Sequence, residues 1–579
     1  MTIRSGLLAW LALAGCGAST KPGDSAVEPP TSPGSSVDSA TVDSATGVGD
    51  TGTPPTDTGD TGVGRTLSAA IVPTSPRAAE SLRCDVVLAA DTDASSVVIA
   101  WTLDGVSWTG ATSAADYPGD TIPAGHTQVD DQWRCTASAS APSGPQLAEN
   151  LVLIAPWGGN ILILIADDIG TDKVGFTGEH PDAPPTPRLD TLAAAGTIFD
   201  NAYGNPTCSP TRATLLTGRY GRRYGIGEVI HLRDTFELPL TEITIAEMLD
   251  YSRHFHYSNG FVGKWHVAGE NTPTNELHPY NQGWTWWTGT LANIEDYNDW
   301  EKMGAGTRTW RDVYATTDTV DDALWLIDTL KDEPWVIGVS FHAAHDPFHM
   351  PPDHLHTQDP SATDTLTLHN AMIEAMDTEI GRLIDSMDPA ELDQTTILFV
   401  GDNGTDSEVV LPPLDPAMAK GTLFEGGIGI PMFITGPPVA NPGSRSSALV
   451  HTVDVFATVA DLAGVHVEEL EHFGIPIEID GRSLVPQLAD PGLSGREMLY
   501  SEQFSPLGPP PYDVNGTVVR DGRYKLYNKG VKTYFFDLQG RHDDGPDLLQ
   551  QGLSTAEQAV FDALWAETER LRSTLGYEH

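Results

Sequence analysis

The chain has 579 residues, 40% of them hydrophobic, with 80 acidic against 32 basic side chains and a formal charge of -48. That length exceeds one ordinary domain and allows a large core. The charge excludes a nucleic-acid partner, because there is no basic footprint to neutralise phosphates. It also means that any anionic substrate must be held by a few local cations against an unfavourable global field.

Arg4 precedes an apolar run from Leu7 to Ala14, too short to span a bilayer and suited to a signal-peptide core. Leu13-Ala14-Gly15-Cys16 resembles a bacterial lipobox, where cleavage leaves a lipidated N-terminal cysteine. The alternative is an ordinary signal peptide that contains a cysteine. No aspartate follows Cys16 at Gly17 or Ala18, which implies sorting to the outer membrane of a Gram-negative bacterium, on its periplasmic face or at the cell surface. No later stretch is long and apolar enough to cross a membrane, so the lipid would be the only tether. Residues 1–16 are therefore read as a lipoprotein signal peptide. Residues 17–65 are rich in Thr, Asp, Ser, Gly and Pro, with quasi-repeats such as DSATVDSATG and DTGTPPTDTGDTG. With almost no large apolar residues to offset ordering entropy, they read as a disordered stalk.

Residues 66–157 break into short strand-like runs, among them RCDVVLAA, SVVIAWTLDG and DDQWRCTASAS. Cys84, Trp101 and Cys135 have the order seen in an immunoglobulin-like β-sandwich, and Asp131-x-Trp133-x-Cys135 resembles the corner before its second bridging strand. The resemblance implies a Cys84–Cys135 disulfide between sheets with Trp101 packed on it. Two unpaired thiols are the alternative. No binding motif is visible here.

From about Asn160 onward, apolar strands alternate with helical stretches, the pattern of an α/β fold. ILILIA (161–166), WVIGVSF (335–341) and TTILFV (395–400) are continuous apolar runs, as expected of parallel strands covered on both faces. The expected architecture is a large mixed, mostly parallel sheet flanked by helices over 158–489, with a small antiparallel-sheet subdomain over 490–579. In the latter, VVRDGRYKLYN and TYFFDL read as strands. A closing helix follows, with Ser554 and Glu557 as capping box and Phe561, Leu564, Trp565 and Leu571 as its buried stripe.

The three apolar runs end in polar clusters: Asp167-Asp168, Asp402-Asn403, and His342-Ala343-Ala344-His345. The carboxyl ends of strands in an open parallel sheet form its binding crevice. Three carboxylates and an amide gathered there would repel one another, and a hard divalent cation with oxygen ligands removes that cost. A third element is Cys208-Ser209-Pro210-Thr211-Arg212. Ser209 can cap a helix, Pro210 suits its first turn and Gly218 its end. Position 208 then lies at a helix N-terminus, where an anion is favoured, and Arg212 faces the same side one turn on.

C-[SA]-P-[ST]-R followed by LTGR resembles the motif of formylglycine-dependent sulfatases, members of the alkaline phosphatase superfamily. Around it, ADDIG, FVGKWH (261–266), HAAHDP, GDNG, KGTLFEGGIGIP (420–431), DGRSLVPQL (480–488) and RYKLYN resemble further family segments in the same order. The resemblance covers most of 161–549 and makes 158–489 the catalytic domain. It implies that Cys208 is converted to formylglycine by formylglycine-generating machinery before export. It implies metal ligation by Asp167, Asp168, Asp402, Asn403 and the modified Cys208. Calcium fits this oxygen-rich set better than zinc, with magnesium as second choice. Arg212 would position the hydrated aldehyde, Lys264 and Lys420 would bind the sulfate oxygens, and His266 and His345 would move protons. One hydroxyl of the hydrated aldehyde would attack sulfur while His345, or Lys420 as alternative donor, protonates the leaving alcohol. The other hydroxyl would lose its proton to His266 and expel sulfate.

Neighbouring residues take bland readings: His342 and His349 as structural histidines, Arg219 as a helix brace, and Trp284, Trp286 and Trp287 as core or a sugar platform. One departure stands out, since Gly429 occupies a position where family members often carry arginine. The implied substrates are sulfated glycans or small sulfate esters. A formylglycine-dependent phosphonate monoester or phosphodiester hydrolase is the nearest rival, and an inactive surface adhesin a more distant one. Of the 4 cysteines, Cys208 alone has no structural assignment.

Overall fold

Alternate residues of ILILI point into different cores, and this one strand sets the architecture. Ile161, Ile163 and Ile165 join one buried cluster, Leu162 and Leu164 the other. Period-2 alternation in a fully apolar strand is what a sheet covered on both faces requires. Burying each such side chain contributes roughly 1.5–3 kcal/mol. A computed structural model describes residues 67–472 and 474–575. Cys16, its signal peptide and the whole of the stalk therefore lie outside the described residues.

The strand Asn160–Ala166 lies inside a ten-stranded sheet. Its spatial order is Thr307–Arg311, Trp300–Gly304, Trp286–Thr290, Ser258–Lys264, Trp335–Ser340, Asn160–Ala166, Thr395–Gly401, Met432–Thr435, Gly196–Tyr203 and Ser444–His451. The four central strands from Ser258–Lys264 to Thr395–Gly401 are parallel, and Met432–Thr435 runs against both neighbours. On one face the helices Cys208–Thr217 and Val453–Ala463 supply Leu215, Leu216, Phe456 and Val459. On the other, Ala315–Leu330 and Thr365–Ser386 supply Val320, Leu326, Met372 and Ile380. The fold is the mixed α/β arrangement expected from the sequence.

The C-terminal sheet is antiparallel: Leu499–Ser505, Val514–Arg520, Tyr524–Lys529 and Lys532–Asp537 pair in chain order. The helix Thr555–Thr574 closes it, and the Ser554–Glu557 capping box forms. Its buried stripe is narrower than expected. Leu564 is fully buried, Phe561 and Leu571 are half-buried, but Trp565 is 39% exposed. Trp565 sits one residue round the helix from Leu564, and Phe561 stacks along its ring at 6.0 Å, covering only part of it.

Ahead of the large sheet, Ser68–Val72, Leu82–Val87 and Thr121–Ile122 form one antiparallel sheet. Val106–Ser107, Val98–Leu103, Gln132–Ala141 and Gly144–Leu153 form a second. A Cys84–Cys135 disulfide links the two. Trp101 lies opposite Cys135 in the strand register and is buried, with its indole donating to the Gly119 carbonyl at 2.9 Å. Among the described residues no helix is long and apolar enough to cross a membrane.

Candidate active site

The parallel register brings the polar clusters together. Gly401 pairs with Ala166, so Asp402-Asn403 and Asp167-Asp168 leave the sheet side by side. Lys264 ends the strand Ser258–Lys264, and His342 and His345 follow Trp335–Ser340 at the same edge. The chain leaving Gly196–Tyr203 turns there into the helix Cys208–Thr217. Gly218 ends that helix in the left-handed region (φ 68°), its N–H donating to the Thr214 carbonyl.

The helix starts two residues earlier than the capping expectation. Thr207 is the N-cap, Cys208 is the first helical residue, and no side chain caps it. Ser209 is inside the first turn, where its hydroxyl accepts the Ile230 N–H at 3.0 Å. The orphan N–H groups near Cys208 thus stay free for an anion.

Side-chain nitrogens and carboxylates interlock around Cys208. Arg212 donates through Nε to Asp402 Oδ2 at 3.1 Å, with a terminal nitrogen 3.0 Å from the same oxygen. Its other terminal nitrogen donates to the Lys264 carbonyl at 2.9 Å and to the Ser340 hydroxyl. Lys264 donates to Asp167 Oδ2, and Lys420 to Asp168 Oδ2 at 2.5 Å. Asp168, held in the left-handed region (φ 58°), donates its N–H to Asp402 Oδ1 at 3.1 Å, and Asn403 Nδ2 donates to Asp168 Oδ1 at 2.8 Å. Asp167, Asp168, Arg212, Lys264, Asp402 and Asn403 are all buried.

Three carboxylates face three cations here, yet the oxygens are not all satisfied. Asp167 Oδ1 and Asn403 Oδ1 are buried with no hydrogen-bond partner. Oxygens without donors are expensive in a protein interior unless they face a cation. Ligand atoms of Asp167, Cys208 and Asp402 lie within 4.8 Å of one another. Burial first, then the adjacent Asp167, push the Asp402 carboxyl up to about 7 despite Arg212. Burial acts on Asp167 too, but Lys264 and Arg212 outweigh it and hold that carboxyl well below the usual range. A hard divalent cation fits this set, since it would satisfy both orphan oxygens and relieve the Asp402 repulsion.

Cys208 is free and buried. Burial pushes its thiol up to about 11, with Asp167 and Asp402 adding to the rise against Lys264 and Lys420. As it stands the thiol is neither a nucleophile nor a good metal ligand near pH 7.

Two histidines flank the cluster. Burial, then Lys264 and Arg212, hold His266 well below its usual range, so it is a neutral acceptor, and its Nδ1 has no partner. His345 lies with Nδ1 2.8 Å from the Asp346 carbonyl and Nε2 3.0 Å from Asn293 Nδ2. That pattern assigns the proton to Nδ1 and leaves Nε2 as acceptor, 3.8 Å from Asp168 Oδ2. A cavity of about 800 Å³ opens beside His266 and His345.

Every residue expected to act in catalysis, sulfate binding or metal ligation converges on this edge, while Cys84 and Cys135 form their bridge in the N-terminal sheets. His342 is structural: Nε2 meets the Thr290 hydroxyl at 2.7 Å and the ring is buried. His349 packs on Tyr297 at 4.3 Å, and Arg219 braces Glu242 at 2.5 Å. Trp284 and Trp287 are core, whereas Trp286 is 39% exposed against Trp325. Near Gly429, Glu425 is held instead by Lys525 at 2.8 Å and the Tyr203 hydroxyl at 2.6 Å, so the C-terminal sheet braces the Lys420 segment. Asn293 and Ser340 escaped the sequence reading. Both sit at ends of sheet strands, Ser340 inside an apolar run and Asn293 beyond Trp286–Thr290, and only that shared edge could have flagged them.

The Sulfatase family model matches residues 159–465, just over half of the chain. N-acetylgalactosamine-6-sulfatase of Homo sapiens is 28% identical over 385 residues, 60% of this chain and 69% of that protein. Among solved structures, Ps i-CgsB in complex with k-i-k-neocarrahexaose superposes with a TM-score of 0.62 at 24% identity, over 71% of this chain and 92% of that one. A protein solved with its substrate, D-glucosamine-2-N,6-O-disulfate, gives 0.55 at 19% identity, over 72% and 98%. At these identities the structural likenesses establish the fold.

Proposed function

The chain belongs to the sulfatase family and hydrolyses sulfate esters, and on that premise we propose that it cleaves sulfated sugars outside the cell with a formylglycine made from Cys208 beside a bound calcium. The observation that carries this reading is the meeting of Cys208, Asp167 and Asp402 within 4.8 Å beside two buried oxygens that no donor satisfies.

Asp167, Asp168, Asp402 and Asn403 would hold the ion, an all-oxygen set suited to calcium and, with stricter geometry, to magnesium. When bound, it supplies Lewis acidity and acidifies an oxygen ligand. Hydrated formylglycine supplies two hydroxyls on one carbon, one to attack sulfur and one whose deprotonation releases sulfate. The chain's own residues do the rest. Arg212, Lys264 and Lys420 balance Asp167, Asp168 and Asp402, so a divalent ion leaves the site net positive within a strongly acidic protein. Lys420 is the half of the lysine pair nearer solvent, at 15% side-chain exposure against 0% for Lys264, and it meets the sulfate first. His345, once protonated at Nε2 with the Asn293 amide turned to present its oxygen, donates to the leaving alcohol, and neutral His266 accepts a proton. Arg212 is held by Asp402, the Lys264 carbonyl and Ser340 and acts as a positioning residue.

Sugars are favoured because similar proteins bear names or bound ligands of that class. A lipid at Cys16 and a stalk over 17–65 would hold the enzyme at the outer membrane, with formylglycine made before export. The strand orders of the two N-terminal sheets and the Cys84–Cys135 link support reading 66–157 as an immunoglobulin-like spacer.

The test is the peptide mass at Cys208 in active protein, together with side-by-side rates on an aryl sulfate and an aryl phosphonate ester. Conversion of the thiol to the aldehyde and faster sulfate release are expected. An unconverted thiol in active protein overturns the formylglycine assignment, and faster phosphonate cleavage makes the chain a phosphonate hydrolase.

A further inference from the structure

We propose that Trp310, Glu295 and Asp299 determine specificity in the cavity beside His266 and His345, selecting a sugar whose other substituents are neutral or cationic and rejecting further sulfates. The inference rests on the sulfatase reading and deepens it.

The cavity, at about 800 Å³, is of the size that takes a sugar as well as its ester group. His266 and His345 line it, which makes it the place for the leaving alcohol. Trp310 lines it as well, 71% exposed. An indole this exposed contributes little to the core, and the hairpin that carries it is firmly built. Trp300–Gly304 and Thr307–Arg311 are joined through Ala305 and Gly306, both in the left-handed region, which fixes the register. Trp300 anchors the hairpin from below, buried and donating its indole N–H to the Val313 carbonyl at 3.0 Å. The hairpin therefore presents Trp310 as a rigid aromatic face on which the apolar side of a pyranose can lie.

Charge supplies the selectivity. Glu295, Asp296, Asp299, Glu301 and Asp346 all line the cavity, and among the described residues no lysine or arginine does. Asp346 is engaged by His345 at 3.1 Å and Glu301 faces Arg308 at 3.4 Å. Glu295 and Asp299 have no ion pair or side-chain hydrogen bond among the described residues. They can accept from sugar hydroxyls or pair with an ammonium, but a second sulfate would meet like charge, because the nearby Arg308 is already shared by Glu270, Glu276 and Glu301. The cations that bind sulfate all lie in the Cys208 cluster, so the site has provision for one sulfate only.

Three aryl sulfates test this, bearing a para aminomethyl, hydroxymethyl or carboxymethyl group, where the methylene insulates the reacting ester. The expected order of kcat/KM is cationic, neutral, anionic, with roughly tenfold from first to last, the factor that two exposed charge contacts allow. Glu295→Gln with Asp299→Asn should flatten that order, lowering kcat/KM for the aminomethyl ester and raising it for the carboxymethyl ester. Trp310→Ala should raise KM for all three and keep both the order and kcat. Equal rates on the three esters in the unmodified protein, or an order that survives the double substitution, would overturn the charge selection. Cleavage of none of them would overturn the sulfatase reading as well, so the two failures are distinct.

Discussion

Arg212 binds Asp402 through two nitrogens on a single oxygen, Nε at 3.1 Å and a terminal nitrogen at 3.0 Å from Oδ2. The other carboxylate oxygen, Oδ1, receives the Asp168 N–H. One guanidinium thus fixes the orientation of one candidate metal-site carboxylate and, through it, of the neighbouring strand end. Arg212→Ala removes one partner of a buried pair, which costs about 3–5 kcal/mol because the remaining charge is stranded. Arg212→Lys keeps the charge but loses the fork. Thermal denaturation should show a large fall in Tm for the first variant and a smaller one for the second, with activity lost in both. A wild-type Tm for Arg212→Ala would contradict the bracing role.

A buried thiol pushed up to about 11 should be inert. Protein made without formylglycine-generating machinery should leave Cys208 unalkylated by iodoacetamide at pH 7.5 in the native state and alkylated once denatured. Cys208→Ala should fold with Tm within a few degrees of wild type and lose activity by at least about 10³-fold, the scale seen when a nucleophile is removed. Native alkylation at neutral pH would mean that the thiol is exposed or acidified.

The chemistry at the strand ends was legible in the sequence because it depends on local pattern. Continuous apolar runs mark buried parallel strands, and whatever follows them must surface at the crevice, as Asp167, Asp402 and His345 do. Resemblance supplied the roles, which spacing alone does not contain. Asn293 was not legible, since a single amide three residues past a strand resembles any loop residue until the fold places His345 beside it. Ser209 was misplaced because Thr207 and Ser209 are equally good caps by residue type, and only the backbone at Thr207, extended at φ -145° and ψ 163°, decides between them. Trp310 was passed over among the 14 tryptophans, because exposure at a cavity mouth depends on a hairpin whose position in the sheet has no local signal.

Orphan oxygens at Asp167 and Asn403 predict that ligand binding stabilises the fold. Adding calcium to chelator-treated protein at about a hundred times its Kd should add about 2.7 kcal/mol, read as a rise of a few degrees in Tm. Asn403→Ala should shrink that shift. Calcium that leaves Tm unchanged while restoring nothing would argue that another ion belongs there.

His451 offers a pH test away from the metal cluster. Burial, then Arg496, lower its pKa from 6.5 to about 3. The unfolded chain therefore binds a proton between those values that the folded chain refuses. Its neutral form contributes stability that is fully present above pH 6.5 and is lost as pH falls toward 3. His451→Gln should remove about 3 kcal/mol of the stability lost between pH 7 and pH 4, as measured by denaturant titrations at each pH. An unchanged acid limb would show that His451 is protonated in the fold or that other groups dominate.

The contact between Asn293 Nδ2 and His345 Nε2 at 3.0 Å bears on which proton moves in catalysis. It aims the ring at the cavity while the Asp346 carbonyl fixes Nδ1 at 2.8 Å. If His345 protonates the leaving alcohol, its value depends on how badly that alcohol needs a proton. A nitrophenolate leaves unaided near neutrality, whereas a sugar alkoxide does not. Asn293→Ala should therefore cut kcat on a sugar sulfate by about 10–100-fold, the usual cost of freeing a positioned catalytic group. On nitrophenyl sulfate it should cost much less. His345→Ala should show the same asymmetry more strongly, with general-acid losses of about 10²–10⁴ on the sugar ester. A uniform loss on both substrates would instead assign Asn293 and His345 to binding the sulfate or shaping the cavity, and would shift the proton-donor role to Lys420.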